Sequence, residues 1–99
     1  MKTLYVVSRT PFLRKEFKTN IALADSGDAV VFIQDGVLVA TRIPEDMENL
    51  IENAKNKGVK FYLLKEDLEA RGLKKNWMEV VVDYEGFLEL LLEYERAVN

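Results

Sequence analysis

The sequence predicts a single α/β domain in which a small, mostly parallel sheet of four strands lies between two layers of helices. Three observations predict this class. Short apolar runs alternate with amphipathic helical patterns, the run at residues 29–33 is apolar without interruption, and 99 residues suit one hydrophobic core. Strands that alternate with helices are joined by crossovers, which favour parallel pairing. We therefore expect residues 1–99 to form one three-layer α/β/α sandwich.

The first half of the chain begins with a strand and a helix. Residues 4–7 are β-branched, aromatic or leucine, which is typical of a strand. Thr10 can cap a helix and Pro11 can occupy its first turn. Apolar residues then recur at helical spacing, namely Leu13, Phe17, Ile21 and Ala24. Residues 29–33 predict a second strand that is covered by helices on both faces.

The segment after the second strand has two interpretations. Asp35 and Gly36 lie between two apolar runs, which read locally is a strong signal for a β-hairpin. The alternative is a turn from the strand into a short helical piece near residues 37–41. We favour the turn, chiefly because of the family resemblance described below.

The second half continues the alternation. Pro44 and two acidic residues predict the start of a helix that ends at Gly58, and its apolar stripe is Met47, Leu50, Ile51 and Ala54. Residues 59–64 predict the third strand, and residues 65–71 predict a short helix that is stopped by Gly72. Residues 80–82 predict the fourth strand. Asp83 then caps a last helix.

Composition excludes several kinds of chemistry. The chain has no cysteine and no histidine, which rules out a disulfide, a thiolate nucleophile, a Cys/His zinc site and a Ser-His-Asp triad. With 14 basic and 17 acidic residues, no direct contact with nucleic acid is expected. The glycines do not have the spacing of a phosphate-binding loop, so no cofactor or metal is expected. No apolar run approaches the ~20 residues of a membrane span, and the start of the chain does not resemble a signal peptide. A cytoplasmic location is expected.

Candidate binding residues follow the predicted strands, because ligands of open parallel sheets bind at the carboxyl ends of the strands. These residues are Arg9, Gln34, Asp35, Gly36 and Asp67. Arg9 with Asp35 or Asp67 could form a charge pair or a small anion site. The same residue types are also common as helix caps and turn formers, and that is the interpretation we favour.

The last helix is a candidate interface. Phe87, Leu88, Leu91 and Tyr94 fill one stripe, which leaves Leu90 and Leu92 as extra apolar surface. We expect a subunit interface at Leu88, Leu90 and Leu92. Trp77, before the fourth strand, is either a core lid or an interface anchor.

Four segments of the chain together carry a family resemblance. They are residues 8–12 (SRTPF), 27–37 (GDAVVFIQDGV), 59–73 (VKFYLLKEDLEARGL) and 82–87 (VDYEGF). In this order and combination they resemble the DsrH/TusB family of sulfur-relay proteins. The resemblance implies the DsrE-like fold, which is related to the flavodoxin-like arrangement. It also implies a small subunit that assembles with DsrE/TusD-like and DsrF/TusC-like proteins. Those assemblies pass persulfide sulfur toward 2-thiolation of the tRNA wobble uridine or within sulfur oxidation.

The resemblance has one departure, since this chain lacks the cysteine that some DsrH proteins carry near the position of Asn20. We therefore expect a non-catalytic subunit, whose Arg9, Asp35, Asp67 and Arg71 lie near a relay site that the partner supplies. The rival interpretation is a homo-oligomer that binds a small anionic ligand at the strand ends. A weaker third option is a signalling domain that accepts a phosphoryl group, which the fold alone does not establish.

Overall fold

A computed structural model describes residues 2–9, 21–40, 45–73 and 80–98. Its strands form one five-stranded sheet in the order β4-β3-β2-β1-β5, and every described pair of neighbours is parallel. The strands are β1 (Thr3–Val7), β2 (Ala29–Phe32), β3 (Lys60–Leu64), β4 (Val80–Val82) and β5 (Arg96–Val98). The predicted parallel α/β sheet is thereby confirmed.

The prediction of four strands was wrong by one, because β5 follows the last helix. This strand has only three residues and pairs with β1, where Thr3 is opposite Arg96 and Tyr5 is opposite Val98. The Nε of Arg96 donates to the hydroxyl oxygen of Thr3 at 3.3 Å. Arg96, Ala97 and Val98 lack the run of β-branched residues that indicated β4, so only the pairing with β1 defines this strand.

The helical segments follow the predicted order. Two 3-10 segments span Gln34–Ala40 and Glu45–Met47, and the helices are α1 (Glu48–Lys57), α2 (Lys65–Ala70) and α3 (Tyr84–Glu93). The 3-10 segment after β2 confirms the turn and excludes the hairpin. Residues 21–23 are also helical, whereas the predictions for Thr10, Pro11 and Trp77 lie outside the described residues.

The first face of the sheet carries the larger core. The inward side chains of the central strands include Val30, Phe32 and Leu63, which are fully buried, and the rings of Phe32 and Phe61 stack with centroids 6.4 Å apart. Buried residues from outside the strands complete this layer, among them Ile21, Ala24, Val37, Val39, Met47, Ile51, Ala54 and Leu68. The predicted stripe of α1 therefore packs on the sheet as expected. It ends at Gly58, whose φ of 100° is left-handed.

The second face is covered by α3, which makes the third layer. Leu90 packs with Leu4, Ala29 and Val31, and Phe87 and Tyr94 lie partly buried beside them. The prediction that Leu90 adds exposed surface was wrong, since its exposed fraction is 6%. Leu88 and Leu91 are exposed, although the predicted stripe grouped them with Phe87 and Tyr94, which are partly buried. The helix is apolar at so many positions that spacing alone permits either orientation.

Asp83 begins α3 as predicted, because its Oδ1 accepts a hydrogen bond from the Gly86 amide at 2.8 Å. We expect Asp83→Ala to lower the free energy of unfolding by about 1 kcal/mol, which is typical for loss of an N-cap. Urea denaturation measures this. Asp83→Asn keeps an acceptor oxygen and should lose much less; equal losses in the two variants would contradict the capping role.

Two tyrosines meet under the end of α3. The hydroxyls of Tyr62 and Tyr94 share a hydrogen bond, and burial is the main cause that raises both pKa values. Burial, the neighbouring Tyr62 and the carboxylate of Glu93 together raise the pKa of Tyr94 to about 12. The folded protein therefore holds this proton more tightly than the unfolded chain does, whose tyrosines titrate near 10.

This shift predicts that stability falls at alkaline pH. Below the unfolded pKa of about 10 the contribution of Tyr94 is fully present, and it is lost as the pH rises through the folded pKa. Urea denaturation across this range measures the loss. Tyr94→Phe removes the titrating group and should flatten the decline, whereas an equally steep decline in that variant would contradict the assignment.

Among the described residues, no helix is long and apolar enough to cross a bilayer.

Candidate functional site

The parallel strands end at one edge of the sheet and bring the candidate binding residues together there. The 3-10 segment that holds Gln34, Asp35 and Gly36 follows β2, and α2, which holds Asp67, follows β3 directly. Since β2 and β3 are neighbours, the two segments lie side by side. Residues 27–37 and 59–73, the two longest segments of the family resemblance, are therefore in direct contact.

Asp67 connects α2 to the start of the 3-10 segment. Its Oδ2 accepts a hydrogen bond from the backbone N–H of Gln34 at 2.6 Å. Gln34 has a φ of 49°, which is the left-handed region that non-glycine residues rarely adopt. A charged acceptor makes a stronger hydrogen bond than a neutral one. Asp67 thus helps to hold Gln34 in an unfavourable backbone conformation.

Arg71 completes the connection through its guanidinium. One terminal nitrogen lies 3.0 Å from Oδ1 of Asp35, and the other lies 3.5 Å from Oδ1 of Asp67 and donates to the Asp67 carbonyl at 3.3 Å. The charge pair considered for Arg9 with Asp35 or Asp67 is not formed between the described residues, because Arg71 is the partner of both carboxylates. Arg9 is exposed, and none of the ion pairs between described residues includes it.

Gly36 is fixed by its close approach to β1. A Cβ at this position would overlap the carbonyl oxygen of Val7. That oxygen accepts a hydrogen bond from the Ile33 amide at 2.9 Å, and the Gly36 amide donates to the Ile33 carbonyl at 2.8 Å. The turn after β2 is therefore built tightly onto the end of β1, and only glycine fits there.

A further carboxylate in α2 reaches the last helix. Oε2 of Glu66 accepts a hydrogen bond from the Tyr84 amide at 3.1 Å. With Asp83 bound to the Gly86 amide, two carboxylates satisfy amides in the first turn of α3. Sequence analysis assigned the cap to Asp83 but missed Glu66, because that contact joins residues 18 positions apart and no local pattern indicates it.

These contacts favour a structural role for the strand-end residues. One guanidinium is shared by two carboxylates, so the group carries a net negative charge that does not suit an anionic ligand. Within the described part of the chain, no group of three or more carboxylates could hold a metal ion. Gln34, Asp35, Gly36, Asp67 and Arg71 act together as a connection, hereafter the strand-end cluster, that orders the turn after β2.

Comparison with known proteins gives one family. A family model described as "DsrH like protein" matches residues 9–97. Protein TusB of Photorhabdus laumondii is 36% identical over 95 residues, which cover 94% of this chain and 95% of that protein. Protein TusB of Escherichia coli K12 is 32% identical over 93 residues, which cover 92% of this chain and 93% of that protein.

Two solved structures share the architecture. The solution NMR structure of Tm0979 from Thermotoga maritima has a TM-score of 0.60 and 29% identity, and the match covers 93% of this chain and 92% of that chain. The structure of MTH1491 from Methanobacterium thermoautotrophicum, described as a protein of unknown function, has a TM-score of 0.70 and 19% identity. That match covers 96% of this chain and 97% of the other, and it shows the fold alone.

Proposed function

Because the chain belongs to the DsrH/TusB family, we propose that it is a non-catalytic subunit of a cytoplasmic sulfur-relay complex. The match of the family over residues 9–97 carries this proposal. The family resemblance implies DsrE/TusD-like and DsrF/TusC-like partner subunits. The sulfur would pass toward 2-thiolation of the tRNA wobble uridine or through a sulfur-oxidation pathway.

Two features support a role without catalysis. Transfer of persulfide sulfur needs a thiolate that accepts the sulfur and hands it on, and this chain has no cysteine. In the strand-end cluster, the charge of Arg71 is already paired with Asp35 and Asp67. The reactive thiol must then come from another subunit, to which this chain supplies a binding surface.

Co-expression tests the assembly. The chain is produced with DsrE/TusD-like and DsrF/TusC-like subunits from the same genome, and the mixture is separated by size-exclusion chromatography. We expect the three polypeptides to elute together, at a larger size than this chain alone. Separate elution at every protein and salt concentration would overturn the proposed function.

A labelling experiment tests which subunit carries the sulfur. The assembled complex is incubated with a cysteine desulfurase and radiolabelled cysteine, and its subunits are then separated under non-reducing conditions. Label is expected on a cysteine-bearing partner and not on this chain. The purified chain alone is the control, and transferable sulfane sulfur on it would contradict a non-catalytic role.

A further inference from the structure

Helix α3 leaves a stripe of large apolar side chains exposed. Tyr84, Leu88, Leu91 and Leu92 are spaced so that they share one side of the helix, and we call them the outer stripe. The exposed fractions of Leu88 and Leu92 are 44% and 86%. The core side of the helix carries Phe87, Leu90 and Tyr94 instead. The outer stripe is thus apolar surface that this chain does not cover with its described residues.

One edge of the sheet is exposed and apolar as well. Helix α3 contacts β4, which is the edge strand and consists of three valines. Val80 is exposed, and no described strand pairs with the outer edge of β4. Edge strands of soluble proteins usually carry charged residues or prolines that discourage pairing. An exposed apolar helix face and an exposed apolar edge strand both typically mark protein interfaces.

The charge of α3 indicates what kind of surface covers it. Successive helix residues are rotated by about 100°, which places Glu85, Glu89 and Glu93 in a row beside the outer stripe. All three are exposed. Residues 83–95 hold five acidic side chains and no basic one, whereas the rest of the chain holds twelve acidic and fourteen basic ones. The negative charge is therefore concentrated where the apolar stripe is.

This concentration disfavours a second copy as the occupant. A symmetric dimer brings the same patch of two copies together. The acidic rows of both copies would then lie in one interface that has no basic residue from either α3, and like charges at close range oppose association.

We infer that the outer stripe binds a different polypeptide, whose surface presents an apolar groove bordered by lysine or arginine side chains. This inference rests on the proposed function and names the surface through which the subunit joins its complex. The leucines fill the groove, and the row of glutamates faces its basic border. The glutamates would also keep copies of this chain apart before the complex assembles.

The test compares how two sets of variants bind the partner subunits. Leu88→Ser with Leu92→Ser removes apolar contact, and Glu85→Gln with Glu89→Gln and Glu93→Gln removes the charge. Leu23→Ser is the matched control, because Leu23 is 67% exposed and lies outside α3. Titration of purified chain into the DsrE/TusD-like and DsrF/TusC-like subunits, followed by light scattering or calorimetry, gives the Kd. Circular dichroism verifies that each variant is folded.

We expect the leucine variant to raise the Kd at least about tenfold, with no change in the control. The wild-type affinity should fall with added salt, and this dependence should be weaker in the glutamine variant. A complex that forms but is unaffected by both sets would overturn the inference and leave the proposed function standing. If wild-type chain forms no complex, both fail.

Sedimentation of the chain alone provides an independent measurement. A monomer at all salt concentrations is expected. A homodimer that the leucine variant dissociates would show that a second copy occupies the outer stripe, which would overturn the inference even if the complex also forms.

Discussion

Replacement of Gly36 by alanine is expected to lower the free energy of unfolding by about 3 kcal/mol and the melting temperature by about 15 °C. The added Cβ would overlap the Val7 carbonyl oxygen and lie 2.9 Å from the carbonyl carbon. Both atoms belong to the backbone of β1, and the oxygen is held by the Ile33 amide. The Val7 carbonyl and the backbone at residue 36 cannot move apart without breaking the hydrogen bonds that join the turn to β1. Calorimetry and urea denaturation measure the effect.

Gly72→Ala is the matched control. Nothing lies within 4 Å of a Cβ at Gly72, but its φ of 63° is left-handed. This substitution should cost only about 1 kcal/mol, through backbone conformation alone. If both variants lost the same stability, the close approach of Gly36 to Val7 would not be the cause.

Asp67→Ala is expected to lower the free energy of unfolding by about 2 kcal/mol, since it removes a hydrogen bond to a charged acceptor. The carboxylate supports the left-handed conformation of Gln34 through its 2.6 Å contact with the amide. Its loss should also loosen the 3-10 segment that follows. Denaturation measures the stability, and hydrogen exchange should be faster at the amides of residues 36–40.

Two further variants separate the contributions to this effect. Asp67→Asn keeps an oxygen that can accept from Gln34, so it should lose less than Asp67→Ala. Arg71→Gln leaves the Gln34 contact in place and removes the two ion pairs and the 3.3 Å hydrogen bond to the Asp67 carbonyl. The ion pairs are partly exposed, so we expect a loss of less than about 1 kcal/mol. A loss in Arg71→Gln as large as that in Asp67→Ala would show that the ion pairs, rather than the amide contact, order the turn.

Most of the fold could be predicted from the sequence because its elements carry their own local signals. The uninterrupted apolar run at β2 indicated a central strand, and Asp83 and Gly58 marked a helix start and a helix end. The hairpin signal at Asp35 and Gly36 was misleading when read locally. That glycine is required for the approach to Val7, which is a tertiary contact that no local pattern records.

The sequence predicted which residues follow the strands but not which of them contact one another. Parallel topology placed Gln34, Asp35 and Asp67 at one edge, whereas the choice of Arg71 over Arg9 as their partner depends on side-chain geometry. The spacing of apolar residues could not predict the orientation of α3 either. Six large apolar residues within one helix permit more than one inward face, and packing on Leu4 and Val31 selects Leu90.

The pairing of β1 with β5 affects how the protein is made. The contact between Arg96 and Thr3 spans 93 positions, so it closes a loop that includes almost all of the described residues. Closing a long loop costs more entropy than a local contact does, and such contacts slow folding. During synthesis, the outer edge of β1 stays unpaired until residues 96–98 have left the ribosome. A nascent chain without these residues has two unpaired sheet edges, β1 and β4. Chaperones that bind extended segments recognise edges of this kind.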